Sequence, residues 1–264
     1  MMIKNIKLFV NDNIKSKKLS KEVKEKFIKN GFNIVDEDFD LAIAIGGDGS
    51  FLRMVKSTNF CDDCYYIGIN SGTLGFAQEV SSDRVDEFIE FLKKEEYKIE
   101  KIGIQEVLVE TKSGIFKHRS INEIVVRDED LNTCELEVFV NDACLENFVG
   151  DGLLISTSFG STAYNLSFGG SIVFNTFHTL QITPVAPLNS KAYRSLTNSV
   201  IVPDNMPIKL IPKRNDGNVI ITVDGDNNFY EGVLSIETVI KKTIKVLRMN
   251  DYSFIQKIND KFLK

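Results

Sequence analysis

Asp48 stands among three glycines in the stretch LAIAIGGDGSFLRMVK, residues 41–56. The apolar run 41–45 precedes these glycines, and a pattern typical of a helix follows them. Glycines let a ligand approach the main chain closely, and the backbone N–H groups at a helix start attract anions such as phosphate. A carboxylate has a use there if it orients or deprotonates an attacking hydroxyl, or binds a divalent cation. The simpler alternative is that Asp48 only caps the helix.

Two further segments place polar residues where ligands commonly bind. The segment NSGTLGFAQEV, residues 70–80, puts Gly72 and Gly75 just after an apolar strand. Loops at the carboxyl ends of neighbouring parallel strands form a ligand crevice, so this loop is expected to meet the first one. An ordinary glycine-containing turn is the alternative. In a strand-like run, Asn122 and Glu123 have the groups to hydrogen-bond a base amide and ribose hydroxyls, unless one simply faces outward.

The segment 150–173, GDGLLISTSFGSTAYNLSFGGSIV, is dense in glycine and hydroxyl side chains and contains Asp151. This composition predicts a long loop that wraps a polar ligand with its backbone close in. The segment has no GxSxG motif, and the chain has only 2 histidines, which argues against a serine hydrolase. Phosphoryl transfer needs neither histidine nor cysteine, because it is mostly positioning and charge neutralisation.

The elements that must position these residues change in kind near residue 100. Before it, strands alternate with helices, which is typical of a parallel α/β sheet; after it, short β-branched segments predict an all-β sandwich. A helix over 251–264 is expected to dock back on the first domain. The early strands are expected at 6–10, 32–35, 41–45 and 66–69, with helices at 17–30, ended by Gly31, at 50–57, and after Ser82 as a cap. The later strands are expected at 104–110, 121–127, 135–140, 152–157, 199–202, 207–211 and 218–223.

The sequence thus predicts two domains, a Rossmann-like α/β domain with a parallel sheet (1–99 plus about 250–264) and an all-β sandwich (100–249). Composition excludes several classes of function. The net charge of −5 indicates no generally basic nucleic-acid surface, and no apolar run approaches membrane-spanning length. Cys61 and Cys64 form a CxxC, but the isolated His118 and His178 offer no complete zinc site, which favours two reduced thiols in a turn. A cytoplasmic protein is expected.

Taken together, these motifs resemble those of the NAD kinase family. GGDG alone also occurs in lipid kinases and phosphofructokinases, whereas the N-E pair and the hydroxyl-rich segment distinguish NAD kinases. The resemblance covers about residues 41–250 and is nearest to the short bacterial members. The matching segments are Gly46-Gly47-Asp48-Gly49-Ser50, Asn70 to Phe76, Asn122-Glu123, and Asp151 to Gly170.

The resemblance implies an enzyme that binds NAD between its two domains. It would transfer the γ-phosphoryl group of ATP, or a phosphoryl group of polyphosphate, to the 2′-hydroxyl of the adenosine ribose and so form NADP. A divalent cation, Mg²⁺, is expected through the ATP phosphates, with no protein ligand assigned. A homo-oligomer, dimer or tetramer, is expected, without nucleic-acid or membrane partners. The alternatives are a lipid or sugar-phosphate kinase with the same GGDG loop, and a non-catalytic NAD(P)-binding sensor.

The resemblance also assigns roles to individual residues. Asp48 would activate or orient the acceptor hydroxyl. Ser50 replaces the family's threonine and keeps its hydroxyl, whereas Ser158 and Phe159 depart from the family pattern where a neighbour would bond the adenine. Phe159 would stack on the base instead. The residues expected to bind substrate or nucleotide are Gly47, Gly49, Ser50, Arg53, Leu74, Gly75, Phe76, Asn122, Glu123, Asp151, Ser161, Thr162, Ala163, Tyr164, Ser167, Ala186, Leu188 and Asp224.

Overall fold

The computed structural model of the chain describes residues 3–72, 75–130, 132–213 and 217–264. The chain forms two compact units, one made of residues up to Ile102 together with Ile244–Lys264, the other of Gly103–Thr243. The elements up to residue 111 are β1 (Asn5–Val10), α1 (Ile14–Lys29), β2 (Asn33–Ile34), β3 (Leu41–Gly46), α2 (Asp48–Ser57), β4 (Tyr65–Asn70), β5 (Val80–Ser81), α3 (Val85–Lys94) and β6 (Lys98–Thr111).

The remaining elements are mostly strands. In chain order they are β7 (Gly114–Ser120), β8 (Glu123–Asp128), β9 (Cys134–Val140), β10 (Ala143–Gly150), β11 (Gly152–Thr157), α4 (Tyr164–Ser167), β12 (Thr179–Val185), β13 (Val200–Pro203), β14 (Ile208–Pro212), β15 (Val219–Val223), β16 (Asp226–Tyr230), β17 (Val233–Arg248) and α5 (Phe254–Phe262). Short 3₁₀ turns span Ser82–Arg84 and Phe159–Thr162.

The first unit is built on a parallel sheet. Its strand order is β2–β1–β3–β4, and the C-terminal end of β17 pairs in parallel with β4. All six residues of β3 are buried, as expected for a central strand covered on both faces. Helices α1 and α2 connect successive parallel strands, which cannot be joined by a tight turn. The predicted Rossmann-like α/β sheet is therefore confirmed.

Helix α1 shows how local sequence sets one of these elements. Asn13 caps its start by accepting a hydrogen bond from the Ser16 backbone N–H (2.8 Å), and Gly31 follows its end with a positive φ of 87°. Val23 and Phe27, one turn apart, are buried in the core of this unit. The helix begins at Ile14, earlier than the predicted residue 17, and Gly31 ends it as predicted.

The second unit contains two antiparallel sheets. One joins β10–β9–β14–β17, with β17 also pairing with β6 and β6 with β7; the other has the order β13–β12–β11–β8–β15–β16. Val107 and Leu210 of the first sheet share one core with Ile155 and Ile221 of the second. The two sheets thus pack face to face, which confirms the predicted sandwich.

Several local expectations were wrong. Ser82 does not cap a helix, because the 3₁₀ turn Ser82–Arg84 intervenes and α3 begins only at Val85. Helix α2 begins at Asp48 rather than at residue 50. No strand was predicted at β7, β10, β12, β16 or β17. Of these, β7, β10 and β16 form hairpins with the preceding strands β6, β9 and β15, whereas β12 and β17 pair with strands more distant in the chain. No helix of the described ranges has both the length and the apolarity needed to cross a membrane.

We expect Phe27→Ala to lower the free energy of unfolding by about 3–5 kcal/mol, because it leaves a cavity where the ring meets those of Phe32 and Phe88. The matched control is Ile28→Ala in the same helix, where the side chain is 53% exposed and the expected change is below about 0.5 kcal/mol. Urea unfolding followed by circular dichroism measures both. Equal losses in the two variants would contradict the assignment of the core face of α1.

Candidate functional site

Asp48 lies at the junction of β3 and α2. Gly47 is the N-cap of α2, and Asp48 is the first helical residue. Its carboxylate accepts hydrogen bonds from the backbone N–H groups of Phe76 (3.1 Å) and Ala77 (3.0 Å), in the loop after β4. The alternative that Asp48 only caps its helix is therefore wrong. A half-buried carboxylate that accepts one such bond at each oxygen keeps lone pairs for a further donor.

The loops after β3 and β4 lie in contact, as the sequence predicted. The register of these parallel strands pairs Gly46 with Asn70, so both loops leave the same edge of the sheet. The Gln78 side chain donates from Nε2 to the carbonyl oxygen of Gly47 (2.8 Å). A Cβ built on Gly75 would overlap the carboxylate of Asp48, which explains why glycine is needed at this position. Leu74, also expected here, lies outside the described residues.

The start of α2 offers a place for an anion. Gly47 and Gly49 are exposed, and a Cβ built on Gly47 would meet no atom of the described residues within 4 Å, so a ligand can approach this backbone. Arg53 lies one turn further on and donates from Nη2 to Ser50 Oγ (3.2 Å), which also accepts from Asn11 Nδ2 (2.9 Å). Helix N-terminal amides beside a guanidinium suit a phosphate group.

In the second unit, Asp224 holds the segment that carries Asn122 and Glu123. Its Oδ1 accepts from the Ser120 hydroxyl (2.6 Å) and from the backbone N–H groups of Asn122 (2.9 Å) and Glu123 (3.2 Å), and its Oδ2 accepts from the Ile121 N–H (3.0 Å). All four donors belong to the protein itself, so most of the acceptor capacity of the Asp224 carboxylate is used within the fold. Its position supports an indirect role, in which it shapes the N-E pair.

Glu123 is buried at the start of β8, and its Oε2 has no hydrogen-bond partner among the described residues. Burial, and next the nearby charge of Asp224, raise the pKa of Glu123 to about 8; the Tyr164 backbone N–H acts in the opposite direction. Burial also raises the pKa of Asp224, while its four hydrogen bonds lower it. A buried carboxyl oxygen without a partner is suited to a ligand hydroxyl or amide.

The strand predicted at 152–157 is confirmed as β11, but the rest of segment 150–173 is not a single long loop, because it continues as the 3₁₀ turn Phe159–Thr162 and helix α4. Its hydroxyls bond backbone groups both inside and outside the segment. Thr157 Oγ1 donates to the Ile121 carbonyl (2.5 Å), and the buried Ser161 Oγ bonds both the N–H and the carbonyl of Val173 (3.0 and 3.1 Å). The Ser158 hydroxyl donates to the Phe177 carbonyl. Ser161, expected to bind a ligand, is thus engaged within the fold.

This segment covers one face of the second sheet. Its Phe168 packs on Val125 and Leu154, which belong to β8 and β11. Gly160 sits against the backbone of Asn122, where a Cβ would overlap the carbonyl oxygen. The segment therefore comes beside the N-E pair.

Tyr164 is 41% exposed, and its hydroxyl accepts from Arg127 Nη2 (3.0 Å), on the strand that begins with Glu123. Thr162 and Ala163 are half-buried next to it in sequence, and Ser167 is exposed. Phe159 is buried, and its stacking on an adenine stays a prediction.

Asp151, Ala186 and Leu188 form a separate group at the other end of β11. The Asp151 N–H donates to the Val185 carbonyl (3.0 Å), and the Leu188 N–H donates to the Val149 carbonyl (2.7 Å). The antiparallel register pairs Ser156 with Glu123, so Asp151 lies five residues away along β11, about 17 Å. An extended ligand along this face would be needed to reach both groups.

Three residues that hold the site residues in place were not predicted from the sequence. Gln78 fixes Gly47, Ser120 bonds Asp224, and the buried Asn165 accepts from Thr183 Oγ1 (2.6 Å) while donating to the Ser161 carbonyl (3.1 Å). Gln78 follows the second glycine loop directly, which is a usable signal. No local pattern marks Ser120 or Asn165.

Comparison with known proteins identifies relatives along almost the whole chain. Residues 2–97 match the family model of the ATP-NAD kinase N-terminal domain, and residues 121–246 match that of the ATP-NAD kinase C-terminal domain. The chain is 38% identical to an NAD kinase of Finegoldia magna, with 98% of each protein covered. It is 34% identical to an NAD kinase of Streptococcus pneumoniae, over 98% of this chain and 96% of the relative.

Solved structures share the fold. The yeast NADH kinase complexed with NADH superimposes with a TM-score of 0.86 at 19% identity, over 100% of this chain and 88% of that one. An NAD kinase from Archaeoglobus fulgidus in complex with ATP gives a TM-score of 0.73 at 18% identity, over 97% and 98%. At such identities the likeness concerns the fold alone.

We expect the Glu123 carboxyl to titrate near pH 8 in the free protein, and Asp224→Asn to lower that pKa because it removes the neighbouring charge. Carbon-detected NMR of the side-chain carboxyl measures both. Asp226→Asn, an exposed change in the adjacent turn, is the matched control and should leave the titration in place. Titration of Glu123 below pH 5 would contradict the burial argument.

Proposed function

Because the chain belongs to the NAD kinase family, we propose that it transfers the γ-phosphoryl group of ATP to the 2′-hydroxyl of the adenosine ribose of NAD, forming NADP. The family assignment rests on the two domain models and on relatives that align over nearly the full length. Of these relatives, the Finegoldia magna protein is named an NAD kinase and is 38% identical.

The observation that supports the proposed chemistry is the environment of the Asp48 carboxylate. Its carboxylate is fixed by two backbone N–H groups, lies at the positive end of α2 and remains half-buried. A fixed carboxylate can accept the proton of a hydroxyl as that hydroxyl attacks a phosphoryl group. Gly47, Gly49, Ser50 and Arg53 would bind phosphate oxygens beside it, with Gly75 and Phe76 forming the opposite loop.

The second unit is proposed to hold the dinucleotide. This unit carries the buried Glu123 oxygen at the start of β8, with Asn122 directly before it, and the exposed Tyr164, whose hydroxyl accepts from Arg127 of the same strand. We assign ligand contacts to Asn122, Glu123, Asp151, Thr162, Ala163, Tyr164, Ser167, Ala186 and Leu188, and a supporting role to Asp224 and Ser161. In this proposal residues 1–99 with about 250–264 form the phosphoryl-transfer domain and residues 100–249 the NAD-binding domain.

A divalent cation, Mg²⁺, is proposed to enter with ATP. Among the described residues, no group of three or more His, Cys, Asp or Glu side chains could hold a metal ion. We therefore assign the cation no ligand among these residues. When bound through phosphate oxygens, the cation would neutralise their charge.

Four further properties are proposed from the composition and from the resemblance. These are a cytoplasmic location, a dimeric or tetrameric assembly, the absence of nucleic-acid and membrane partners, and use of polyphosphate as an alternative donor. A lipid or sugar-phosphate kinase is disfavoured because both NAD kinase domain models match. A non-catalytic NAD(P)-binding sensor is disfavoured by the intact, amide-bonded Asp48.

Purified protein incubated with NAD, ATP and magnesium is expected to form NADP, detected with an NADP-specific dehydrogenase. Asp48→Asn should lower kcat by about 10²–10⁴ through loss of the general base, with NAD binding largely kept. Asp36→Asn, at an exposed aspartate of the same unit, is the control. No NADP above a protein-free reaction would contradict the proposed function, and normal turnover of Asp48→Asn would contradict the role of the carboxylate.

Gly75→Ala should also lower kcat, by about 10- to 100-fold, because the new methyl group must push the Asp48 carboxylate from its amide donors. Gly72→Ala in the same loop is the matched control, since a Cβ there meets no atom of the described part of the chain within 4 Å. Steady-state kinetics at saturating NAD and ATP measures both. A Gly75→Ala enzyme as fast as Gly72→Ala would show that the placement of the carboxylate is not critical.

A further inference from the structure

The C-terminal helix α5 reaches the loop that holds Asp48 through one side chain, Lys257. Its Nζ donates to the carbonyl oxygens of Phe76 (3.2 Å) and Gln78 (2.5 Å) and to Oε2 of Glu79 (3.2 Å). The Phe76 carbonyl shares its peptide unit with the Ala77 N–H, one of the two donors to Asp48, and the other donor, the Phe76 N–H, lies one peptide unit before it. Lys257 thus binds the opposite side of the same short backbone segment.

Aromatic packing fixes α5 on this segment. The Phe76 ring lies 6.0 Å from that of Phe254 and 5.3 Å from that of Phe262, the first and last residues of α5. Rings at these separations gain contact energy beyond the area they bury. The backbone of Phe76 therefore contacts Lys257 while its side chain contacts both ends of the helix.

The surroundings of Lys257 are crowded with charge. Its side chain is 11% exposed, and the loop contributes Glu79, which is also paired with Arg248 of β17 (3.2 Å). Arg248 is paired as well with Glu100 of β6 (2.7 Å), and the Tyr252 ring lies 5.1 Å from Lys257 Nζ. Burial, and next the charge of Arg248, lower the pKa of Lys257 to about 8, whereas Glu79 and Asp48 act to raise it.

Burial of the Lys257 charge lowers the stability of the folded protein. A lysine whose pKa is lowered in the folded state is protonated less readily there than in the unfolded chain, so between about pH 8 and its ordinary value stability rises with pH. At neutral pH the buried charge is a net cost that an apolar side chain would avoid. The three groups that accept hydrogen bonds from Lys257 all lie in the segment next to Asp48. This placement indicates that the charge serves to hold that segment.

We propose that Lys257 is a positioning residue for phosphoryl transfer: it fixes the Phe76–Glu79 backbone, and with it the two amides that orient the Asp48 carboxylate. The proposal rests on the proposed function of Asp48. The ammonium group polarises the Phe76 and Gln78 peptides and resists rotation of the loop, so that the carboxylate keeps one orientation toward the acceptor hydroxyl. Lys257 itself need not touch the substrate.

The test compares Lys257→Met, which keeps the stem but removes the charge and donors, with Lys257→Arg, which keeps the charge. Lys264→Met is the control, because the Lys264 side chain is 65% exposed and pairs with Asp260 of α5 (2.7 Å). For the full-length proteins, we would measure kcat and KM for NAD from pH 6 to 10, thermal unfolding, and the amide ¹H–¹⁵N resonances of Phe76 and Ala77.

Lys257→Met should lower kcat about 10- to 100-fold with the KM for NAD changed less than about threefold, and should shift both amide resonances. Lys257→Arg should recover most of the rate and of the resonance positions. The wild-type kcat should fall on the alkaline side with an apparent pKa near 8, and this fall should be absent in Lys257→Arg because arginine stays charged.

Three results would overturn the proposal: unshifted amide resonances in Lys257→Met, a kcat for that variant within twofold of wild type, or the same alkaline fall in wild type and Lys257→Arg. Should Lys257→Met not fold, the pH profile of Lys257→Arg decides. A wild-type protein that makes no NADP would instead contradict the proposed function, while the amide resonances would still report on whether Lys257 fixes the loop.

Discussion

Two hydrogen bonds, from the backbone N–H groups of Phe76 and Ala77 to the carboxylate of Asp48, join the loops that follow β3 and β4. The carboxylate has a fixed direction because the donors are main-chain groups rather than mobile side chains. Parallel pairing of Gly46 with Asn70 brings these loops to one edge of the sheet. Gly75 leaves the space that the carboxylate occupies, and Gln78 ties the second loop back to Gly47. Each of these features is needed for the same small arrangement of atoms.

In the second unit, backbone N–H groups again bond a carboxylate, but there the bonds shape the main chain. There the carboxylate of Asp224 accepts three backbone N–H groups and one hydroxyl, and so fixes the segment that carries Asn122 and Glu123. Asp48 keeps lone pairs available for a ligand, whereas most lone pairs of the Asp224 carboxylate accept hydrogen bonds from the protein itself. Next to Asp224, Glu123 has a buried oxygen, Oε2, with no hydrogen-bond partner among the described residues. One carboxylate shapes the main chain while its neighbour is left available for a ligand.

Local patterns were enough to predict much of the fold. The buried run of β3, the ending of α1 at Gly31 and the short strands of the sandwich follow from periodicity and turn residues. Strand β17 was not predicted, because its sixteen-residue length depends on pairing with β14 near one end and β4 near the other. The part of segment 150–173 that follows β11 was predicted as a long loop, whereas it forms a short turn and a helix. Hydroxyls of the segment, such as those of Thr157 and Ser161, bond backbone groups within the unit.

The residues of the candidate site likewise fall into those that the sequence predicted and those that it did not. Asp48 and the N-E pair stand out because glycine or a polar pair beside an apolar strand has few purely structural uses. The groups that hold them come from far along the chain: Asp224 bonds Ser120 across 104 residues, and Lys257 bonds the Phe76 carbonyl across 181. Such contacts are decided by tertiary packing, and one sequence carries no signal of them.

The most direct test of the account is a crystal structure of the protein with NAD bound, in which the distance from the Asp48 carboxylate to each ribose hydroxyl is measured. We expect one carboxylate oxygen to lie about 2.6–3.2 Å from the 2′-hydroxyl of the adenosine ribose, with the Phe76 and Ala77 N–H bonds intact. A 2′-hydroxyl directed away from Asp48, with no water linking the two groups, would contradict it.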